Sequence, residues 1–160
     1  MKKIIIPGMM LAAYTGLIII LQINQLLPEG RSSLLFIPVH FIVFFFLLKW
    51  VKAKFYSNDI TFKAVFTNGV LIGVFSTVVV STCFFVFLRY VDPSAMETIK
   101  KLSEEKKQKL IEKLGSLSAS MEKSLEEELT PARQAIQTFS VLILWILFSL
   151  ISAAILKKKL

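Results

Sequence analysis

Four long apolar runs, at roughly residues 4–24, 33–51, 66–91 and 136–156, divide the chain. Two stretches inside them, Val70–Leu88 and Phe139–Leu156, contain no charged residue. Runs of about 20 apolar residues match the hydrocarbon core of a bilayer when coiled as helices. Lipid offers the backbone no hydrogen-bond partner, so a spanning segment is either a helix or a strand of a closed barrel. The runs lack the period-2 alternation of barrel strands. The pattern therefore predicts an all-α integral membrane protein, a four-helix bundle with both chain ends on one side.

The polar segments between the runs set the connections. Pro28 and Gly30 mark a short turn at about Pro28–Ser32, which makes the first two spans an antiparallel hairpin. In the connector Lys52–Asn68, the residues Ile60, Phe62, Val65 and Phe66, with Lys54 and Lys63, predict an interfacial helical turn leading into span three. The 39-residue connector Asp92–Thr130 is the one long hydrophilic element, an extramembrane helical insertion over residues 92–130. Asp92-Pro93 marks its helix start, with Ser94 and Glu97 spaced as a capping box. Gly115 ends that helix, a second runs from Ser116 or Ser118 to Leu129, and Thr130-Pro131 opens span four. Leu110, Leu114, Leu117, Met121, Leu125 and Leu129 recur at helical spacing as one apolar stripe. Two arrangements satisfy it: a protruding antiparallel hairpin, or an arm lying along the lipid surface.

Charge then orients the four spans. The N-terminal side holds Lys2, Lys3, Lys49, Lys52, Lys54, Lys63, Lys157, Lys158 and Lys159 against Asp59 alone, a balance of +8. The other side has ten basic and ten acidic residues. All nine basic residues of the first group lie close to a span end, where the positive-inside rule acts, so both termini are expected in the cytoplasm. Trp50 and Tyr90 fall where interfacial aromatics belong. The first run is longer than the ~7–15 residues of a signal-peptide core. Gln22, Ile23, Asn24 and Gln25 follow it where a small-residue cleavage site would stand. It reads as a retained span.

Candidate chemistry is sparse. Gly8, Ala12 and Gly16 in span one, and Gly69, Gly73, Thr77 and Ser81 in span three, recur every four residues. Such faces let helix backbones approach closely, and these two are expected to pack against each other or to form a homodimer seam. His40 is an ionisable side chain deep within a span, so it is a polar functional candidate. With no Asp or Glu inside any span to complete a relay, it is expected to bond Thr15, Ser149, Ser152 or a carbonyl freed near Pro38. Arg89, Tyr90 and Asp92 cluster at the outer end of span three, where Arg89 is expected to meet lipid phosphate or to pair with Asp92. One Cys and one His assemble no metal site. No nucleophile elbow, zinc-protease helix motif, Walker loop or intramembrane carboxylate pair is present. No catalytic residue and no cofactor is expected, and the basic residues do not form the aromatic-interleaved patch that nucleic acid would require.

The segments Ile60-Thr61-Phe62-Lys63-Ala64-Val65-Phe66, Tyr90-Val91-Asp92-Pro93 and Ser149-Leu150-Ile151-Ser152-Ala153-Ala154-Ile155-Leu156-Lys157-Lys158-Lys159, with the charged helical connector, carry a resemblance over nearly the whole chain. It resembles a family of small bacterial inner-membrane proteins known as domain of unknown function 4199, in which a more glycine-rich first hairpin than Pro28-Glu29-Gly30 is usual. The resemblance implies a four-helix membrane fold and transfers no activity or site residue. The function expected is a non-enzymatic accessory or scaffold protein of the bacterial inner membrane. Its partners would be membrane lipid and, through residues 92–130, a second copy or another membrane protein. The alternative is a small oligomeric transporter or channel, in which His40, Asn68, Thr77 and Ser81 would converge on one cavity.

Overall fold

The computed structural model describes residues 1–23, 31–56, 60–114 and 130–157, and no strand occurs among them. Among the described residues six α-helices follow in order: α1 (Lys2–Ile23), α2 (Arg31–Phe55), α3 (Phe62–Val86), α4 (Ser94–Leu114), α5 (Pro131–Gln137) and α6 (Val141–Leu156). A π-helical turn, Phe87–Val91, extends α3, and a 3-10 turn, Thr138–Ser140, joins α5 to α6. Among the described residues, the helical stretches Lys2–Gln22, Phe62–Val91 and Pro131–Leu156 are long and apolar enough to cross a membrane. The shortest has 21 residues, about 30 Å of helix, which matches a bilayer core. The chain is a helical membrane protein. α2 is 25 residues long and carries Lys49, Lys52 and Lys54 toward its C-terminal end. The expected turn at Pro28–Ser32 begins in residues outside those described, as do Gly115 and the second helix of the insertion.

The chain divides into two compact units, Met1–Val80 with Phe139–Leu160, and Ser81–Thr138. In the first, the core gathers Leu11 of α1, Phe44, Leu47, Leu48 and Val51 of α2, Val65 and Ile72 of α3, and Trp145 and Phe148 of α6. Contacts fix the helix directions. Lys3 meets Tyr56 while Tyr14 meets His40, so α1 and α2 run antiparallel. His40 and Phe44 meet Trp145 while Lys52 reaches Leu156, so α2 and α6 run parallel. Gly69 faces Ser149 and Gly73 faces Trp145, so α3 and α6 run antiparallel. The starts of α1 and α3 and the ends of α2 and α6 therefore share one end of this unit.

Two expectations are corrected here. Among the described residues no separate interfacial turn precedes span three: α3 starts at Phe62, and Thr61 caps it by accepting from the Ala64 N–H at 3.3 Å. Ile60 and Val65 are buried in the core, while Phe62 and Phe66 stack with ring centroids 6.3 Å apart. The small-residue faces of α1 and α3 also do not meet. Gly69 and Gly73 pack on α6, Gly8 faces the Phe75 ring of α3, and nothing lies within 4 Å of a side chain added at Gly16. Ala12 and Thr77 are buried.

In the second unit, Leu88 of the π turn packs with Ala95 and Met96 of α4. The Asp92 carboxylate accepts from the backbone N–H of Ser94 at 3.1 Å and of Ala95 at 3.3 Å, and from the Ser94 hydroxyl. Asp92 thus caps α4 with Pro93 after it, which is the helix start expected at Asp92-Pro93. Thr130 caps α5 by accepting from Arg133 N at 3.2 Å, ahead of Pro131. Ser81 is buried and hydrogen-bonds Thr138, whose hydroxyl also donates to Ala135 O at 2.7 Å.

A methyl group at Gly73 would sit 2.6 Å from the Trp145 Cβ and 2.9 Å from its Cγ, atoms that move only with the α6 backbone. Gly73→Ala should destabilise the protein by about 1–3 kcal/mol through overpacking. Gly69→Ala, 2.8 Å from the Ser149 Cβ, should behave likewise. Gly16→Ala, which meets nothing, should be neutral or slightly stabilising. Thermal unfolding in detergent, followed by helical circular dichroism, separates the two classes.

Candidate functional site

Polar side chains of the first unit concentrate at the end where its four helices meet. Tyr56 follows the last turn of α2, its N–H bonded to Lys52 O at 3.1 Å, so Lys52 and Tyr56 lie one turn apart on the same face. The Lys3 ammonium donates to Tyr56 Oη at 2.6 Å and sits 4.8 Å from the ring centroid. The amide of Asn68, itself buried, donates to the same oxygen at 2.8 Å. One phenol thereby ties α1 and α3 to the end of α2. Burial opposes ionisation of Tyr56, but the bonds from Lys3 and Asn68 and the Lys3 charge outweigh it, so its pKa falls below the usual 10.0. Lys52 makes the fourth connection by donating to the Leu156 carbonyl at 2.8 Å. That oxygen belongs to the last turn of α6, where carbonyls lack helical partners and the helix dipole favours a cation. Lys54 and Lys49 lie over the rings of Trp50 and Phe46, at 4.7 and 6.0 Å.

His40 is half-buried farther along the helices. Its Nδ1 lies 3.4 Å from Tyr14 Oη, with the two rings edge to face, and its imidazole stacks beside Trp145 at 6.3 Å. Two of the expected partners, Thr15 and Ser149, are engaged within their own helices. Thr15 donates to Leu11 O at 2.9 Å and Ser149 to Trp145 O at 2.6 Å. The Ser152 and Ser76 hydroxyls are buried without a hydrogen-bond partner. In the second unit, the Arg89 guanidinium lies over the Phe85 and Tyr90 rings, at 6.0 and 5.6 Å, and Tyr90 is exposed. Asp92 serves the α4 cap, so the Arg89–Asp92 pairing expected from the sequence is replaced by two local roles.

Of the four polar residues that a transport cavity would bring together, Asn68 and His40 stand well apart. Asn68 joins Tyr56 at the lysine-rich end, while His40 is held by Tyr14, eleven residues beyond Lys3 along α1. That interval is about 16 Å of helix. Thr77 and Ser81 are both buried and lie one turn apart on α3. Tyr56 and Tyr14 carry the interhelical contacts that sequence reasoning passed over. The available signal was positional: with alternating spans, Lys3, Tyr56 and Asn68 fall near the same boundary.

A family model described as "Protein of unknown function (DUF4199)" matches residues 4–158. The chain belongs to the DUF4199 family. No curated protein and no solved structure matches it. In this DUF4199 chain the matched region includes every contact described above except the Lys3 end of the Tyr56 bond, which lies one residue before its start.

The lowered pKa of Tyr56 gives a direct test. In a difference titration of phenolate absorbance between the protein and Tyr56→Phe, the Tyr56 midpoint should lie below 10.0, and Lys3→Gln should move it upward. A phenol with a depressed folded pKa adds stability as pH rises from that pKa through 10.0, and adds none well below it. A midpoint unmoved by Lys3→Gln would remove Lys3 as a cause.

Proposed function

We propose that this protein is a non-enzymatic scaffold or accessory component of the bacterial inner membrane. In this reading it is a four-span bundle with both termini in the cytoplasm, and the region 92–130 is an extracytoplasmic arm that contacts a second copy or another membrane protein. The orientation is supported by the lysines at the shared end of the first unit, since Lys and Arg near span ends favour the cytoplasmic side. The alternating helix directions of that unit are compatible with four spans.

The observation that carries the reading is the contrast between α4 and the first unit. Polar groups among the helices of that unit join one helix to the next, as Lys3, Tyr56, Asn68 and Lys52 do. By contrast, α4 is fixed at its root by the Asp92 cap and by Leu88, Ala95 and Met96, and beyond that root it exposes Lys100, Lys101, Glu104, Glu105 and Glu112. A rigidly rooted helix with both charge signs exposed suits recognition of a partner surface by charge complementarity. The oligomeric-transporter alternative is weakened by the separation of His40 from Asn68 along the helices.

Deleting Ser94–Leu129 and replacing it with a short flexible linker should abolish recovery of crosslinked partners from native membranes, while the protein stays membrane-inserted. Unchanged recovery would exclude the arm as the contact. A reporter active only outside the cytoplasm, fused after Leu160, should remain silent; activity there would reverse the proposed orientation.

A further inference from the structure

The lysine-rich end of the first unit gathers ammonium groups. Among the described residues no acidic side chain stands there, while Lys3, Lys52, Lys63 and Lys157 come from the ends of α1, α2, α3 and α6. The two lysines that turn inward have neutral partners, a phenol for Lys3 and a backbone carbonyl for Lys52. A lysine ammonium carries three donors, so each keeps two beyond those bonds. Tyr56 Oη accepts from both Lys3 and Asn68, which fills its acceptor positions and leaves its own hydrogen for a third partner. Lys52 and Tyr56 project from the same face one turn apart. Two ammonium groups and one hydroxyl, the hydroxyl braced by a buried amide, are thus donors at the same end of the unit, with no competing carboxylate among the described residues.

The surface beside Lys3 indicates what kind of anion these donors would take. Ile6, Met10 and Leu17 follow Lys3 at three, seven and fourteen residues, on one side of α1, and are 42%, 54% and 56% exposed. An apolar strip thus runs along a candidate membrane span directly from the ammonium. A soluble phosphate compound would have no use for it, whereas an acyl chain would lie along it with its headgroup at the helix ends. We infer that Lys3, Lys52 and Tyr56 bind the phosphate of an anionic phospholipid whose acyl chain lies along the Ile6–Leu17 side of α1. The site does not depend on which face of the membrane this end occupies, because the geometry requires only a headgroup at that level.

Native mass spectrometry of the full-length protein in detergent, titrated with phosphatidylglycerol and with phosphatidylcholine of the same acyl chains, tests the site by counting bound lipid. Phosphatidylglycerol should bind more tightly. Lys3→Gln and Lys52→Gln should each weaken it roughly fivefold, the effect of about one surface lysine on an anionic lipid. Lys54→Gln and Lys63→Gln, which alter exposed lysines at the same end, should leave it unchanged. Equal binding of the two lipids by the unaltered protein overturns the proposal without recourse to any variant. Equal weakening by all four substitutions also overturns it, since diffuse surface charge would then suffice. Lys3→Arg and Lys52→Arg keep the charge and should retain the preference if the Gln variants fail to fold. Soluble glycerol phosphate should not match the lipid; if it binds as tightly, the ligand is a soluble phosphate and the lipid assignment fails.

Discussion

The close approach of α3 to α6 at Gly69 and Gly73 is the contact on which the first unit depends. Apolar side chains gain little by leaving lipid for one another, so helices in a membrane associate through van der Waals fit and a few polar bonds. With no side chain at Gly73, the Trp145 Cβ lies against the α3 backbone. That fixes the indole, which is 1% exposed and stacks on Phe44 with centroids 5.2 Å apart. His40 stacks beside the same ring and turns its Nδ1 toward Tyr14 of α1. The path from Gly73 through Trp145 to Phe44, His40 and Tyr14 touches all four helices, so displacing α6 at one glycine disturbs each pairing in turn.

Polar bonds then set register at one end. Lys3 and Asn68 converge on a single phenol, which fixes how far α1 and α3 slide relative to the end of α2. Lys52 closes the last turn of α6 by taking up a carbonyl that has no helical partner. The ends of α2 and α6 present negative dipole ends here, which favour a nearby ammonium locally, while the starts of α1 and α3 at the same level carry the opposite sign. The lysines near these ends therefore answer two demands at once, one from the membrane surface and one from the helices.

The helical class and the shared location of the chain ends could be read from the apolar runs, because backbone bonding in lipid leaves few options. Helix boundaries were less legible. Lys63 interrupts the apolar run and moved the expected start of span three to residue 66, but a helix needs a cap rather than continuous apolarity, and Thr61 supplies one. Small-residue spacing revealed which face of α3 could be approached, though not that α6 would approach it. Spacing is a property of one helix, while the choice of partner depends on the rotation of all of them. His40 shows the same limit. Its expected partner Thr15 stands one residue, about 100° of helix, from its actual partner Tyr14. Hydroxyls were also overrated as interhelical bridges, since those of Thr15 and Ser149 bond carbonyls four residues back in their own helices.

Ser76 and Ser152 extend that argument. Their exposures are 1% and 0%, and neither hydroxyl has a hydrogen-bond partner. An unsatisfied buried hydroxyl costs about 1–3 kcal/mol, so its polarity is a burden there. A larger side chain would carry a penalty of similar size, because the neighbouring glycine contacts already hold α3 and α6 at close range. What these positions require is small volume. In that light the serines of α3 and α6 belong with Gly69 and Gly73 as packing residues, and the polar bonds of Lys3, Tyr56, Asn68 and Lys52 that join one helix to the next lie at the lysine-rich end.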